Sequence, residues 1–310
     1  MSKIAFVFPG QGAQYVGMGR EVYDNCPEAQ TVFKEADQIL GRSISELCFN
    51  GPDNSLKDTR NAQPAIVTTS IAILRVLEKE GIKADYTAGH SLGEYSALIA
   101  SRAVSWADSL QLVNTRSRLM AEADPEQNGT MAAILGVDRQ SLAGLLEEAS
   151  QIGRVEAANF NCPGQIVVSG AKDGVARIQE LVVASGGKAI PLAVSGAFHS
   201  SLMKKAADDF RPELEKVYWN HPQPPVVANV SAKPVLKEDL ADSLYRQLFS
   251  PVLWEDSLNY LNAQGVQTFV EIGPGKVLSG LVKKTLKGAR FINCEDLTSI
   301  KKALAILREV

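Results

Sequence analysis

Histidine is scarce in this 310-residue chain, confined to His90, His199 and His221, and cysteine is nearly as rare. Cys26, Cys48, Cys162 and Cys294 stand far apart with no C-x-x-C spacing, which excludes a disulfide framework or a thiolate zinc site. No two histidines lie four apart on a helical pattern, so no metal is expected. An excess of one charge is also missing: 32 Lys plus Arg face 35 Asp plus Glu, a net charge of −3 that provides no field for holding a nucleic-acid backbone. Long apolar runs are absent too. The N-terminal run KIAFVF stops at Pro9, too short for a signal-peptide core, and nothing approaches the roughly 18 apolar residues of a membrane span. The expectation is a soluble cytoplasmic protein with no nucleic-acid or membrane partner. At roughly 150 residues per domain the length fits one large domain or two smaller ones.

What is present is an α/β pattern. KIAFVF (3–8) reads as a buried parallel strand, and the GQGAQ that follows must turn the chain. Helical periodicity follows at about 28–40, 62–80 and 105–123, with strand-like runs near 84–89, 226–231, 267–272 and 289–293. Such alternation implies a mostly parallel sheet covered on both faces. The middle of the chain reads differently, as strand 130–137, helix 139–150, strand 155–160, strand 165–170, helix 171–185 and strand 188–194. This βαββαβ order is the ferredoxin-like signature. The predicted organisation is a core of residues 1–127 and 197–310 interrupted by a subdomain at 128–196, with the boundary in the polar stretch ADPEQNG (123–129).

Three residues point to chemistry. Gly89-His90-Ser91-Leu92-Gly93 fits G-x-S-x-G where a strand meets a helix, the context of a nucleophile elbow; an ordinary glycine-flanked turn is the alternative. A serine hydroxyl needs a base. His90 adjoins the serine and should point away, and His221 lies in the proline-rich loop HPQPP. His199, in GAFHSS just after the inserted segment, is left as the candidate. Arg116 is the third, because Leu112, Val113, Leu119 and Met120 place it on the apolar stripe of its helix, whereas Arg118 falls on the polar face. An inward guanidinium needs an anion, either an internal carboxylate or one that a substrate brings. The loop PGQGAQ lacks the full G-x-G-x-x-G and the Walker lysine, but its backbone can approach the elbow and complete an oxyanion hole with the N–H of Leu92.

These segments, together with TRNAQPA, NFNCPGQIVVSG, RQLFSPVLW and EIGPGKVLSGL in the same order, resemble the malonyl-CoA:acyl carrier protein transacylase family of bacterial fatty acid synthesis. The likeness runs from about residue 4 to 282. It implies an α/β-hydrolase-like core with an inserted ferredoxin-like subdomain, and malonyl transfer from malonyl-CoA to the phosphopantetheine thiol of acyl carrier protein. Carried over by residue, it implies Ser91 as nucleophile, His199 as base and the Gln247 backbone carbonyl as orienter of that base. The N–H groups of Gln11 and Leu92 would form the oxyanion hole, and Arg116 would bind the malonyl carboxylate. Gln63 and Asn159 would line the site, and Phe198 would guard it against a branched α-carbon. No cofactor of its own is implied, since coenzyme A arrives as substrate and phosphopantetheine on the partner. Arg116 is usually followed by glycine in related sequences, whereas Ser117 follows here. Acyl carrier protein is typically acidic, and Lys204 and Lys205 are candidates for docking it. A monomer is expected.

Two other classes fit parts of this pattern. A hydrolase shares G-x-S-x-G but should carry an acidic triad member between serine and histidine. The acids between 91 and 199 are read as lying in or around the inserted segment, with none at an evident core strand end. A module that only docks carrier protein has no need for Ser91, His199, Arg116 and Gln11 together.

Overall fold

A computed structural model describes residues 3–124, 126, 128–194 and 196–308. KIAFVF forms β1 (Lys3–Phe8), flanked by β2 (Tyr86–Gly89) and β8 (Val266–Ile272), both parallel to it. With β7 (Val226–Val227) and β9 (Arg290–Cys294) at the edges, the sheet order is β7-β2-β1-β8-β9, parallel throughout. Side chains on β1 alternate between two apolar layers. Phe6 and Phe8 join one cluster with the helices Thr59–Lys79 and Trp106–Glu122, while Ala5 and Val7 join another with Trp254–Ala263 and Val277–Thr285. Burial on both faces explains why this strand reads as a continuous apolar run.

The helix Thr59–Lys79 begins earlier than its apolar periodicity suggests, because the Asp58 side chain caps it by accepting from the Arg60 N–H. Pro64 inside it has no N–H for the carbonyl of Arg60. That carbonyl instead accepts from Arg42 Nη2 at 3.0 Å and from Ser117 Oγ at 3.4 Å. Ser117, fully buried, thus supplies a donor that glycine lacks.

The inserted segment folds in the expected βαββαβ order: β3 (Gly129–Leu135), helix Arg139–Ala149, β4 (Val155–Cys162), β5 (Gln165–Ala171), helix Lys172–Ala184 and β6 (Lys188–Pro191). It is a separate antiparallel sheet, ordered β4-β5-β3-β6, with its own apolar core. Pairing across Val252 ties it to the parallel sheet's side, with Phe160 N–H to Val252 O and Val252 N–H to Ala158 O both 2.9 Å. Arg139 adds ion pairs to Glu255 and Asp256. Of the boundary stretch 123–129, Pro125 and Gln127 lie outside the described residues.

Two strands are shorter than the sequence suggests. The expected strand 188–194 ends at Pro191, which has no N–H for the ladder; after Leu192 N–H bonds Met131 O, the chain leaves the sheet. The expected strand 226–231 is only Val226–Val227, since the Ala228 and Ala232 backbone bonds fold the next residues into a turn. Both departures serve the cleft described next, by freeing Leu192 and Val194 to line it and by carrying Asn229 to the elbow.

Candidate active site

Ser91 sits at the tip of the turn from β2 into the helix Gly93–Ala100 with φ at 51°, in the left-handed region that a side chain normally avoids. The flanking glycines make that turn possible. A Cβ on Gly89 would lie 1.9 Å from the carbonyl carbon of Gly93, and one on Gly93 would lie 2.1 Å from the carbonyl oxygen of Phe8. Backbone lies on both sides, so nothing can rotate away. Gly93→Ala is therefore expected to cost about 3 kcal/mol of stability, seen as a lower midpoint in denaturant unfolding; an unchanged midpoint contradicts this packing. Amides from distant loops hold the elbow. Ser91 N–H donates to Asn229 Oδ1 at 2.7 Å, Asn229 Nδ2 donates to Gly89 O at 2.7 Å, and Gln247 Nε2 donates to Ser91 O at 3.0 Å.

His199 also has a positive φ, 58°, and is almost wholly buried. Its Nε2 is 2.7 Å from Ser91 Oγ and its Nδ1 is 2.8 Å from the backbone oxygen of Gln247. A carbonyl only accepts, so Nδ1 carries the hydrogen and the Nε2 lone pair faces the serine. Burial, then the neighbouring Arg116 cation, lowers the imidazole pKa to about 3, which keeps it neutral at physiological pH.

Arg116 is fully buried, as its place on the apolar stripe requires. Its guanidinium donates to Gln63 Oε1 at 2.7 Å, Gln247 Oε1 at 3.0 Å and Ser91 Oγ at 3.1 Å, and lies 5.6 Å from the Tyr95 ring centroid. No carboxylate among the described residues pairs with it. An internal salt bridge, the plainer of the two readings of Arg116, is thus not what the fold provides.

Gln11 follows β1 on a loop that presses on the elbow, because a Cβ on Gly10 would lie 2.5 Å from His90 O. Among the described residues neither the Gln11 nor the Leu92 amide donates to a protein acceptor. The side chain of Gln11 donates to Thr59 Oγ1 and accepts from Gln63, extending the network from Arg116 to the loop. A cleft of about 300 Å³ brings together Gln11, Gln63, Ser91, Leu92, Arg116, Asn159, Phe198 and His199, and Met131, Leu192 and Val194 of the inserted segment add to its wall. Gln247 lies behind it, in contact with Arg116, His199 and the elbow at once.

Residues 5–304 match the acyl transferase domain family. The chain belongs to that family. Over 312 residues it is 49% identical to the malonyl CoA-acyl carrier protein transacylase of Bacillus subtilis (strain 168), covering 100% of this chain and 98% of the relative. The Escherichia coli (strain K12) protein of the same name is 46% identical over 287 residues, covering 92% and 93%. Among solved structures, the malonyl CoA-acyl carrier protein transacylase of Clostridium perfringens superposes with a TM-score of 0.96 at 44% identity, covering 99% and 98%. A malonyl-transacylase solved in complex with its type II PKS acyl-carrier protein gives 0.96 at 40% identity, covering 98% of this chain and 100% of its own.

This acyl transferase uses residues that the sequence did not single out. His90 lines the cleft beside the serine, its Nε2 2.8 Å from Asn161 Oδ1. Asn229 and Asn161 carry no local signal. Glu94 corrects the reading that acids between 91 and 199 belong to the inserted segment, because it lies on the core helix, 1% exposed, and accepts from Gln247 Nε2 at 2.8 Å and from the Asn229 N–H at 3.1 Å. A single charge in the apolar stretch GEYSALIA was the available sign. It is not a triad acid, since a backbone carbonyl orients His199. His221 is exposed. Lys204 and Lys205 form ion pairs with Asp208 and Asp209 on their own helix. No group of three or more His, Cys, Asp or Glu among the described residues is placed to hold a metal, and no helix there is long and apolar enough to cross a membrane.

Proposed function

We propose that this acyl transferase moves a malonyl group from malonyl-CoA to the phosphopantetheine thiol of acyl carrier protein through a malonyl ester on Ser91. As Ser91 Oγ attacks the thioester carbonyl, His199 Nε2 takes the hydroxyl proton, and the oxyanion is met by the N–H groups of Gln11 and Leu92. Collapse breaks the C–S bond, and the imidazolium returns its proton to the departing thiolate. The carrier thiol then gives its proton to His199 and attacks the ester, and Ser91 recovers its hydrogen. The Gln247 carbonyl keeps His199 in the tautomer that both halves need.

The observation that carries this reading is Arg116, a buried cation with no carboxylate partner among the described residues, 3.1 Å from the nucleophile. A malonyl carboxylate supplies the missing anion, whereas acetyl leaves the fork unmet, and an unmet buried polar group discriminates strongly. Phe198 fills the wall beside His199, which supports exclusion of a branched α-carbon. Gln63 and Asn159 would contact the acyl chain. The parallel sheet with its serine elbow supports an α/β-hydrolase-like description of residues 1–127 and 197–310, and the separate sheet supports a ferredoxin-like one of residues 128–196. The same reading carries a cytoplasmic monomer with no cofactor of its own.

Intact-protein mass spectrometry after brief exposure to malonyl-CoA tests it. A malonyl adduct absent from Ser91→Ala and discharged by holo acyl carrier protein is expected. Rapid release of free coenzyme A with no adduct would make the protein a hydrolase instead.

A further inference from the structure

A bare guanidinium in a water-poor site is costly unless some negative charge offsets it. Around Arg116 the nearest source is Glu94, one amide away: Gln247 accepts from Arg116 Nη2 through Oε1 and donates to Glu94 Oε2 through Nε2. The other fully buried carboxylate among the described residues, Glu271, is taken up by the N–H groups of Leu278 and Ser279. Glu94 also fixes the sense of the relay. An ionised carboxylate only accepts, so the Gln247 NH2 must face it and the amide oxygen must face Arg116.

We propose that Glu94 is the resting counter-charge of Arg116 and that it gives up this role, by taking a proton from solvent, when the malonyl carboxylate arrives. The inference rests on the malonyl-transfer reading above. Two carboxylates and one guanidinium in a dry site leave an excess negative charge, and protonating the one that is not in direct contact with the cation removes it. Burial pushes Glu94 up to about 7, against the opposing pull of Gln247, Asn229 and Arg116, so the proton is available near neutrality. The other titratable groups around it are Arg116 from the helix Trp106–Glu122, Tyr95 from its own helix, and His90 and His199 from the elbow and the loop facing it. Burial raises Tyr95, lowers His90 and holds His199 at about 3, leaving Glu94 the group that titrates near pH 7.

Loading itself is proton-neutral, because the serine hydrogen ends on the coenzyme A thiol. Acylation at pH 7.5 in weak buffer with an indicator dye therefore reads only the enzyme's own uptake. Malonyl-CoA should draw in roughly half a proton or more per loaded site, and acetyl-CoA none. The malonyl-to-acetyl loading ratio should fall by up to about tenfold between pH 6 and pH 8, and in Glu94→Gln both the uptake and this slope should vanish. A malonyl adduct formed without proton uptake overturns the inference while leaving the functional reading intact, and so does a Glu94→Gln enzyme that behaves as wild type. Failure to form any malonyl adduct overturns both. Should Glu94→Gln not fold, uptake by the wild-type protein decides alone.

Discussion

His199→Ala is expected to slow acylation of Ser91 by about four orders of magnitude, measured as the burst of acyl adduct by rapid-quench mass spectrometry. Among the described residues the serine hydroxyl has one base within reach, at 2.7 Å, and without it the attack must proceed against an alcohol that keeps its proton. The depressed pKa adds a second expectation. With acetyl-CoA as probe, whose acyl group carries no charge, the wild-type rate should stay level from pH 8 to pH 5, because an imidazole that protonates only near 3 remains a base throughout. A decline with an apparent pKa near the ordinary histidine value would mean that the site is wetter than its burial implies. A drop of less than tenfold in His199→Ala would mean that another group takes the proton.

Arg116→Ala should lower malonyl loading by about 10²- to 10⁴-fold, the equivalent of leaving one charge of a buried pair unmatched. Acetyl loading should fall far less, so that selectivity moves toward acetyl. The comparison matters more than either rate, since Arg116 also touches Ser91 Oγ and Gln247, and a general disturbance of the site would slow both substrates alike. Unchanged selectivity would remove Arg116 from carboxylate recognition. Arg116→Lys should not restore it, because one ammonium cannot reach Gln63, Gln247 and a substrate carboxylate together.

The parts legible in the sequence are those with a local physical signature. KIAFVF could be read as a central strand because both of its faces are buried, and the βαββαβ run because its elements are short and well punctuated. Ser91 and Arg116 were legible as local contradictions, a residue forced into a glycine-flanked turn and a charge on an apolar stripe. Glu94 carries the same kind of sign, but an acid in the first turn of a helix looks equally like a partner of the helix N-terminus. Asn229 and Asn161 left none: an uncharged amide in a polar stretch looks like any other until the fold carries it across to the elbow. The shortened strands failed for a related reason, because apolar residues at 192–194 and 228 serve a cleft wall or a turn as well as they would serve a ladder.

The amides that hold the elbow also set the order in which the enzyme can become dangerous to its surroundings. Ser91 is held in its left-handed conformation by Asn229 and by Gln247, which follow it by 138 and 156 residues, and β1 waits for β8, more than 250 residues later, to close the sheet. A chain emerging from the ribosome therefore displays its serine long before it owns a nucleophile. Thioesters in the cell meet an inert polypeptide until Gln247 and β8 have been made.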